Sequence, residues 1–214
     1  MKRMNNRAFA VLAVLVASAF IAGSYNSTRA QPGQPTTVKT LKGNSISDAT
    51  DSAEKRDLVV TRVFDASVER VWKAWTDPEQ VMRWWGPTGF TSPSCKIDFR
   101  EGGKFLFHMR APKDFQGGQD FYTTGVYKKI VLMQLIEFSQ SLADKDGNRI
   151  DPTTMGMPAD FPKEIPSALA FKRVADKTEL IATEYGWTVG QMRDMSESGL
   201  SECLDKLAAV LAKR

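Results

Sequence analysis

Ser94-Cys95-Lys96-Ile97-Asp98-Phe99-Arg100, then Glu101-Gly102-Gly103, then Lys104-Phe105-Leu106-Phe107-His108-Met109-Arg110: the reading of this stretch decides the fold. Two alternating runs flank a loop in which glycine can supply the positive φ of a short hairpin turn. Pairing Arg100 with Lys104 sets Phe99 opposite Phe105, Ile97 opposite Phe107 and Cys95 opposite Met109. One face of the hairpin is then wholly apolar. The other carries Lys96, Asp98, Leu106, His108 and Arg110, and a slip of one residue would mix the two. The pattern predicts an antiparallel sheet with one buried face and His108 towards solvent.

Upstream, Leu58 to Phe64 is a β-branched run and reads as a strand. The period then changes: Val68, Val71, Trp72 and Trp75 fall on one helical stripe that Ser67 or Asp65 can cap. Asp77-Pro78 closes that helix and opens a second, Pro78 to Trp85, which stops at Gly86-Pro87. Downstream, strands are predicted at Phe121 to Val131 and Leu135 to Leu142. A proline-punctuated loop from Ala143 to Lys163 follows, and then the strand pair Ser167 to Val174 and Thr178 to Tyr185. The last element is a long helix: Thr188-Val189-Gly190-Gln191 has the form of a capping box, and Met192, Met195, Gly199, Leu200, Cys203, Leu204, Leu207 and Leu211 recur at helical spacing. The order β-α-α-β-β-β-β-β-β-α implies an α+β domain in which a long C-terminal helix closes over an antiparallel sheet.

The first thirty residues are of another kind. Lys2, Arg3 and Arg7 precede an apolar run from Ala8 to Gly23 and a polar stretch ending in Thr28-Arg29-Ala30, with no acidic residue. This is the pattern of a signal peptide over residues 1–30; an uncleaved membrane anchor is the alternative. Residues 31–57 are Gln, Pro, Gly, Thr, Ser, Asn and Lys with scattered apolar residues and read as a disordered linker, leaving 58–214 as the domain.

The formal charge of +4 belongs to the leader. Of 29 basic residues, Lys2, Arg3, Arg7 and Arg29 lie in it, so the rest of the chain balances 25 basic against 25 acidic groups. Such a body has no concentrated positive face for phosphates, which argues against nucleic acid as a partner. One histidine and two cysteines cannot build a multi-imidazole or Cys-rich metal site. No metal and no cofactor is implied. Cys95 and His108 lie on opposite faces in the derived register, so they do not form a nucleophilic dyad, and no other spacing singles out a catalytic residue. Cys95 with Cys203 is a candidate disulfide in an oxidising compartment, since the sheet faces the helix that carries Cys203.

Phe64-Asp65-Ala66, Val71-Trp72-Lys73-Ala74-Trp75-Thr76-Asp77-Pro78-Glu79, Trp84-Trp85-Gly86-Pro87, Asp98-Phe99-Arg100-Glu101-Gly102-Gly103, Thr124-Gly125-Val126-Tyr127 and Cys203-Leu204-Asp205-Lys206-Leu207 occur in that order. Together they resemble the START-like SRPBCC superfamily, in the branch of homologues of the heat-shock-protein-90 ATPase activator C-terminal domain. The resemblance runs from Leu58 to Lys213. It implies the helix-grip fold, with a cavity between sheet and C-terminal helix, and departs from the branch in the leader and in Gly199-Leu200, where relatives commonly carry a Trp.

On that resemblance the expected ligand-binding residues are Trp85, Phe105, Phe107, Met109, Phe138, Phe171, Met192, Met195 and Gly199, with Asp98, Arg100 and Glu184 as polar residues for the cavity edge. The partner expected is a small hydrophobic molecule, with a membrane involved only if the leader stays attached. Three functions follow: an exported binding module, a START-like enzyme of cyclase or hydrolase type using the same cavity, and a chaperone ATPase activator homologue. The last conflicts with export, because that chaperone works with ATP inside cells. The expected location is the periplasm or the exterior, with membrane anchoring as the alternative. Intact-mass analysis of exported protein should therefore find a chain beginning near Gln31; a chain that keeps Met1 and sediments with membranes would establish an anchor instead.

Overall fold

The computed structural model describes residues 54–115 and 117–213. The leader and most of the segment read as a linker lie outside the described residues. Seven antiparallel strands form one sheet in the order β1-β7-β6-β5-β4-β3-β2: β1 is Lys55–Phe64, β2 Cys95–Ile97, β3 Lys104–Arg110, β4 Asp120–Val131, β5 Leu135–Ala143, β6 Ile165–Val174 and β7 Lys177–Thr188. Helices α1 (Val68–Thr76) and α2 (Pro78–Val81) follow the first strand, and α3 (Gln191–Leu211) ends the chain. This is the α+β arrangement that the order of elements implied and the helix-grip fold that the resemblance implied. β1 starts at Lys55, so the first strand reaches into the stretch read as linker.

The two-residue period places the core. Leu58, Val60 and Phe64 of β1, Phe105, Phe107 and Met109 of β3, Leu169 and Phe171 of β6, and Leu180 and Ala182 of β7 are all buried on the inner face of the sheet. Helix α1 buries Val68, Val71, Trp72, Ala74 and Trp75 against it, the stripe its spacing predicts. Helix α3 buries Gly199, Leu200, Cys203, Leu204, Leu207 and Leu211. Polar bonds fix its line across the sheet: the Arg62 guanidinium pairs with Asp205 at 2.9 Å, Arg70 donates to the Leu211 carbonyl at 2.6 Å, and Arg193 donates to the Asp57 carbonyl at 2.9 Å.

Five local expectations are corrected. The β2–β3 pairing sets Cys95 opposite Phe107 and Ile97 opposite Phe105, two residues away from the derived register. An even shift keeps every side chain on its face, so the apolar face survives. The shift arises because the loop is longer than a three-residue turn. The Asp98 amide bonds to the Lys104 carbonyl, and the backbones of Gly102 and Gly103 pair with Tyr127 of β4.

His108 is buried, not solvent-facing. It stacks on Tyr122 with ring centroids 4.4 Å apart, with Ser94 Oγ 3.0 Å from Nδ1 and Asp120 Oδ1 2.9 Å from Nε2. The arginine beside it, Arg110, holds the Asp120 carboxyl down to about 2. The second helix closes at Val81, with Met82 to Trp84 forming turns, although Asp77 caps it as expected by accepting from the Glu79 amide. Thr188 ends β7 and does not cap α3, whose N-cap position is Gly190. Cys95 and Cys203 are free thiols, each pushed up to about 12 by burial, so the candidate disulfide is not formed.

One glycine governs the middle of the inner face. A β-carbon on Gly125 would lie 2.2 Å from the Phe105 ring and 2.4 Å from the Ser139 carbonyl oxygen, so the ring lies where any side chain would stand. Backbone blocks one side, and the phenyl ring can escape only into other packed rings. Gly125→Ala should therefore lower stability by about 1–3 kcal/mol, the usual cost of overpacking. An unchanged urea midpoint would show that the ring moves freely.

Candidate functional site

The helical spacing that buries Trp72 and Trp75 turns Trp75 towards the middle of the sheet, and the turns after α2 bring Trp84 and Trp85 beside it. Ring centroids are 4.6 Å apart for Trp75–Trp84, 5.5 Å for Trp84–Trp85 and 4.9 Å for Trp85–Phe107. Trp84 is fully buried and donates its indole N–H to the Ala74 carbonyl at 2.9 Å. The indole nitrogens of Trp75 and Trp85 are buried without a hydrogen-bond partner, a condition that costs about 1–3 kcal/mol per donor.

Between these rings and the sheet lies a cavity walled by Trp75, Trp85, Phe107, Phe138, Leu169 and Leu200, with Gln140, Ser167 and Glu184 at one end. A second, adjoining space shares Trp75, Phe107, Phe138 and Leu169 and continues over Phe105, Tyr127 and Ile136. Counted out to its open mouth, the empty volume of the first is about 360 Å³ and of the second about 260 Å³. The room enclosed by the side chains themselves is much smaller. A few waters fit as the side chains stand; anything larger must displace a ring, and Phe138 is half-buried while the other wall rings are buried.

The polar end is a connected group. Gln140 Nε2 donates to Glu184 Oε1 at 2.9 Å and to Ser167 Oγ at 3.2 Å; Trp187 Nε1 donates to Glu184 Oε2 at 2.9 Å, and Ser196 Oγ to the same oxygen at 3.4 Å. All these donors are neutral. Burial raises the Glu184 carboxyl above its ordinary value, against the lowering effect of the three side chains that bond it. Glu184 and Tyr127 are the titratable side chains on the walls, and burial pushes the Tyr127 phenol up as well. Among the described residues no group of three or more His, Cys, Asp or Glu is placed to hold a metal ion, and no helix is long and apolar enough to cross a membrane.

Residues 65–212 match the family described as Activator of Hsp90 ATPase homolog 1-like protein. The chain belongs to this family. Solved structures share the fold. Protein CV1439 from Chromobacterium violaceum is 23% identical, with 74% of this chain and 98% of that chain covered at a TM-score of 0.58. Protein NE0264 from Nitrosomonas europaea is 22% identical, covering 73% and 94% at 0.56. A protein from Arthrobacter aurescens is 24% identical, covering 77% and 92% at 0.58. No curated protein matches the sequence.

Of the residues expected at the site in this family member, Trp85, Phe107 and Phe138 line the first space and Phe105 the second. The others stand apart from both walls. Met109 is buried under Gly86, where a β-carbon on the glycine would come within 3.4 Å of it; Phe171 packs on Trp72, with centroids 5.0 Å apart. Met192 packs on the core only in part, Met195 is half-buried, and Gly199 is buried one residue before Leu200, which does line the cavity. Asp98 and Arg100 are exposed and pair with each other at 2.9 Å, so of the three polar candidates only Glu184 reaches the cavity.

Trp75, Gln140, Ser167 and Leu200 are wall residues that the sequence reading did not assign to the site. Gln140 and Ser167 carried a signal, because a polar residue at an inward position of a strand asks for a partner.

The raised Glu184 carboxyl has a definite sign. In the window that opens at 4.5, its ordinary value, and runs up through its folded value, the folded chain holds a proton that the unfolded chain has released, so stability falls as pH rises. Glu184→Gln should lose that fall. Urea midpoints followed from pH 4 to 8 should converge or cross for the two proteins; parallel curves would show that the carboxyl is not perturbed.

Proposed function

We propose that the chain is an exported binding protein that holds a small, largely apolar molecule between the inner face of the sheet and α3. The observation that carries this reading is the cavity itself: its walls are aromatic and aliphatic, with polar groups gathered at one end. That is how a site looks when area supplies affinity and a few polar groups fix orientation. The two indole donors without partners support it too, because an incoming acceptor would relieve them. Export is supported by the basic start, the apolar run and the small-residue end of positions 1–30. Turnover in the same cavity would fall to Glu184, as Tyr127 holds its proton more tightly still. Nothing on the walls pairs that carboxyl with a nucleophile, and binding without chemistry is the simpler reading.

Nile red, a neutral apolar dye, should bind the folded domain saturably at one per chain, and mass spectrometry of the natively purified protein should find an unaltered apolar molecule. Leu200→Trp should fill the wall and weaken dye binding tenfold or more in protein that still unfolds cooperatively, at a thermal midpoint lowered by overpacking. Absence of saturable binding would overturn the reading, and a mixture of substrate and product in the purified material would replace it with an enzyme.

A further inference from the structure

The polar end of the cavity is asymmetric in charge. Glu184 accepts from Gln140, Trp187 and Ser196, all neutral, and none of the ion pairs among the described residues includes it. The cations of the gripping helix and of β1 that the core approaches have other partners: Arg193 has Glu197 and the Asp57 carbonyl, Arg62 has Asp205, and Lys206 has the carbonyls of Gly86 and Phe90. A carboxyl on the wall of an apolar space, without a counter-charge, leaves a place for one. The rest of the wall suits the same guest, since the faces of Trp75, Trp85, Phe107 and Phe138 attract a cation as well as an apolar body.

Resting on the ligand-binding reading above, we infer that the ligand is a hydrophobic amine whose ammonium group seats on Glu184, beside Gln140 and Ser167, with its apolar body against Trp75, Trp85, Phe107 and Phe138. The ammonium donates to Glu184 Oε1, which holds one hydrogen bond where Oε2 holds two. Ser167 Oγ and the Gln140 carbonyl are the further acceptors at that end. An anionic guest meets opposite forces: the indole N–H groups of Trp75 and Trp85 would welcome it, while Glu184 repels it.

Three compounds with one body and different heads separate these possibilities: 4-phenylbutylamine, 4-phenylbutan-1-ol and 4-phenylbutanoate, each displacing Nile red from the full chain at pH 7.5. The amine should bind at least tenfold more tightly than the alcohol, and the carboxylate more weakly than either. Glu184→Gln should bring amine and alcohol within twofold of each other. Equal affinities of amine and alcohol for the unaltered protein, with dye bound, would overturn the assignment of the head group and leave the cavity reading standing. A tighter carboxylate would assign the polar contact to the indoles instead. Failure of every probe and of the dye would overturn both. The ranking in the unaltered protein decides the matter even if the Glu184 variant does not fold.

Discussion

Much of this structure hangs on one ammonium group. Lys206 sits in the C-terminal half of the last helix and donates to the carbonyl oxygens of Gly86 at 2.7 Å and Phe90 at 2.8 Å, with Pro87 at 3.4 Å. Burial pulls its pKa down, but its three protons are matched to three carbonyls of one turn. Glu202, one helical turn earlier, accepts from the Thr88 amide at 3.0 Å, so two side chains of α3 grip the same loop. Gly86 can occupy that loop because its φ of +95° suits a residue without a side chain; a β-carbon there would crowd Phe90 at 3.0 Å. The residue before it is Trp85. The helix thus sets the position of the indole that walls the cavity, and a displacement of α3 would be felt there directly.

The cavity follows from how the inner face is filled. Large rings cross from β3 and from the helical turns, and Gly125 leaves room for Phe105 to lie flat over β4. Smaller residues occupy the other side, where Ser167 of β6 and Ala182 of β7 share the wall with Leu200. Rings that meet edge to face, as Trp75, Trp84, Trp85 and Phe107 do, cannot close a space as flexible aliphatic chains would. Unfilled volume therefore collects where the aromatic half meets the small-residue half, and the carboxyl of Glu184 stands at that seam.

Much of this was legible from residue order. The strand and helix periods located the elements, because burial on one face of a sheet or one stripe of a helix imposes them over many residues. The hairpin register was not legible: its apolar face is the same after a shift of two, and the choice was made by glycine backbones bonding to Tyr127, on a strand some two dozen residues away in sequence. The burial of His108 was hidden for a related reason. The outer face of the sheet reads as solvent from its alternation, while Tyr122 and Asp120 of β4 and Ser94, just before β2, enclose the imidazole. At the site, the rings on β3 and β5 were found because alternation points them inwards. Met109 and Phe171 share that alternation yet serve the plain core, since sequence period gives a face and not a position along it.

The first and last strands are partners. β1 lies against β7 from Lys55–Thr188 to Phe64–Thr178, and Leu58 stands opposite Glu184. Contacts so far apart in the chain make the closing loop as long as the domain itself, so this pairing bears the largest loop-closure entropy and belongs to the slow class of topologies. A growing chain can assemble the meander from β2 to β6 while β1 has no neighbour and the polar end of the cavity does not exist. The binding site is thus a late product of synthesis, complete only when the strand made first has found the strand made last.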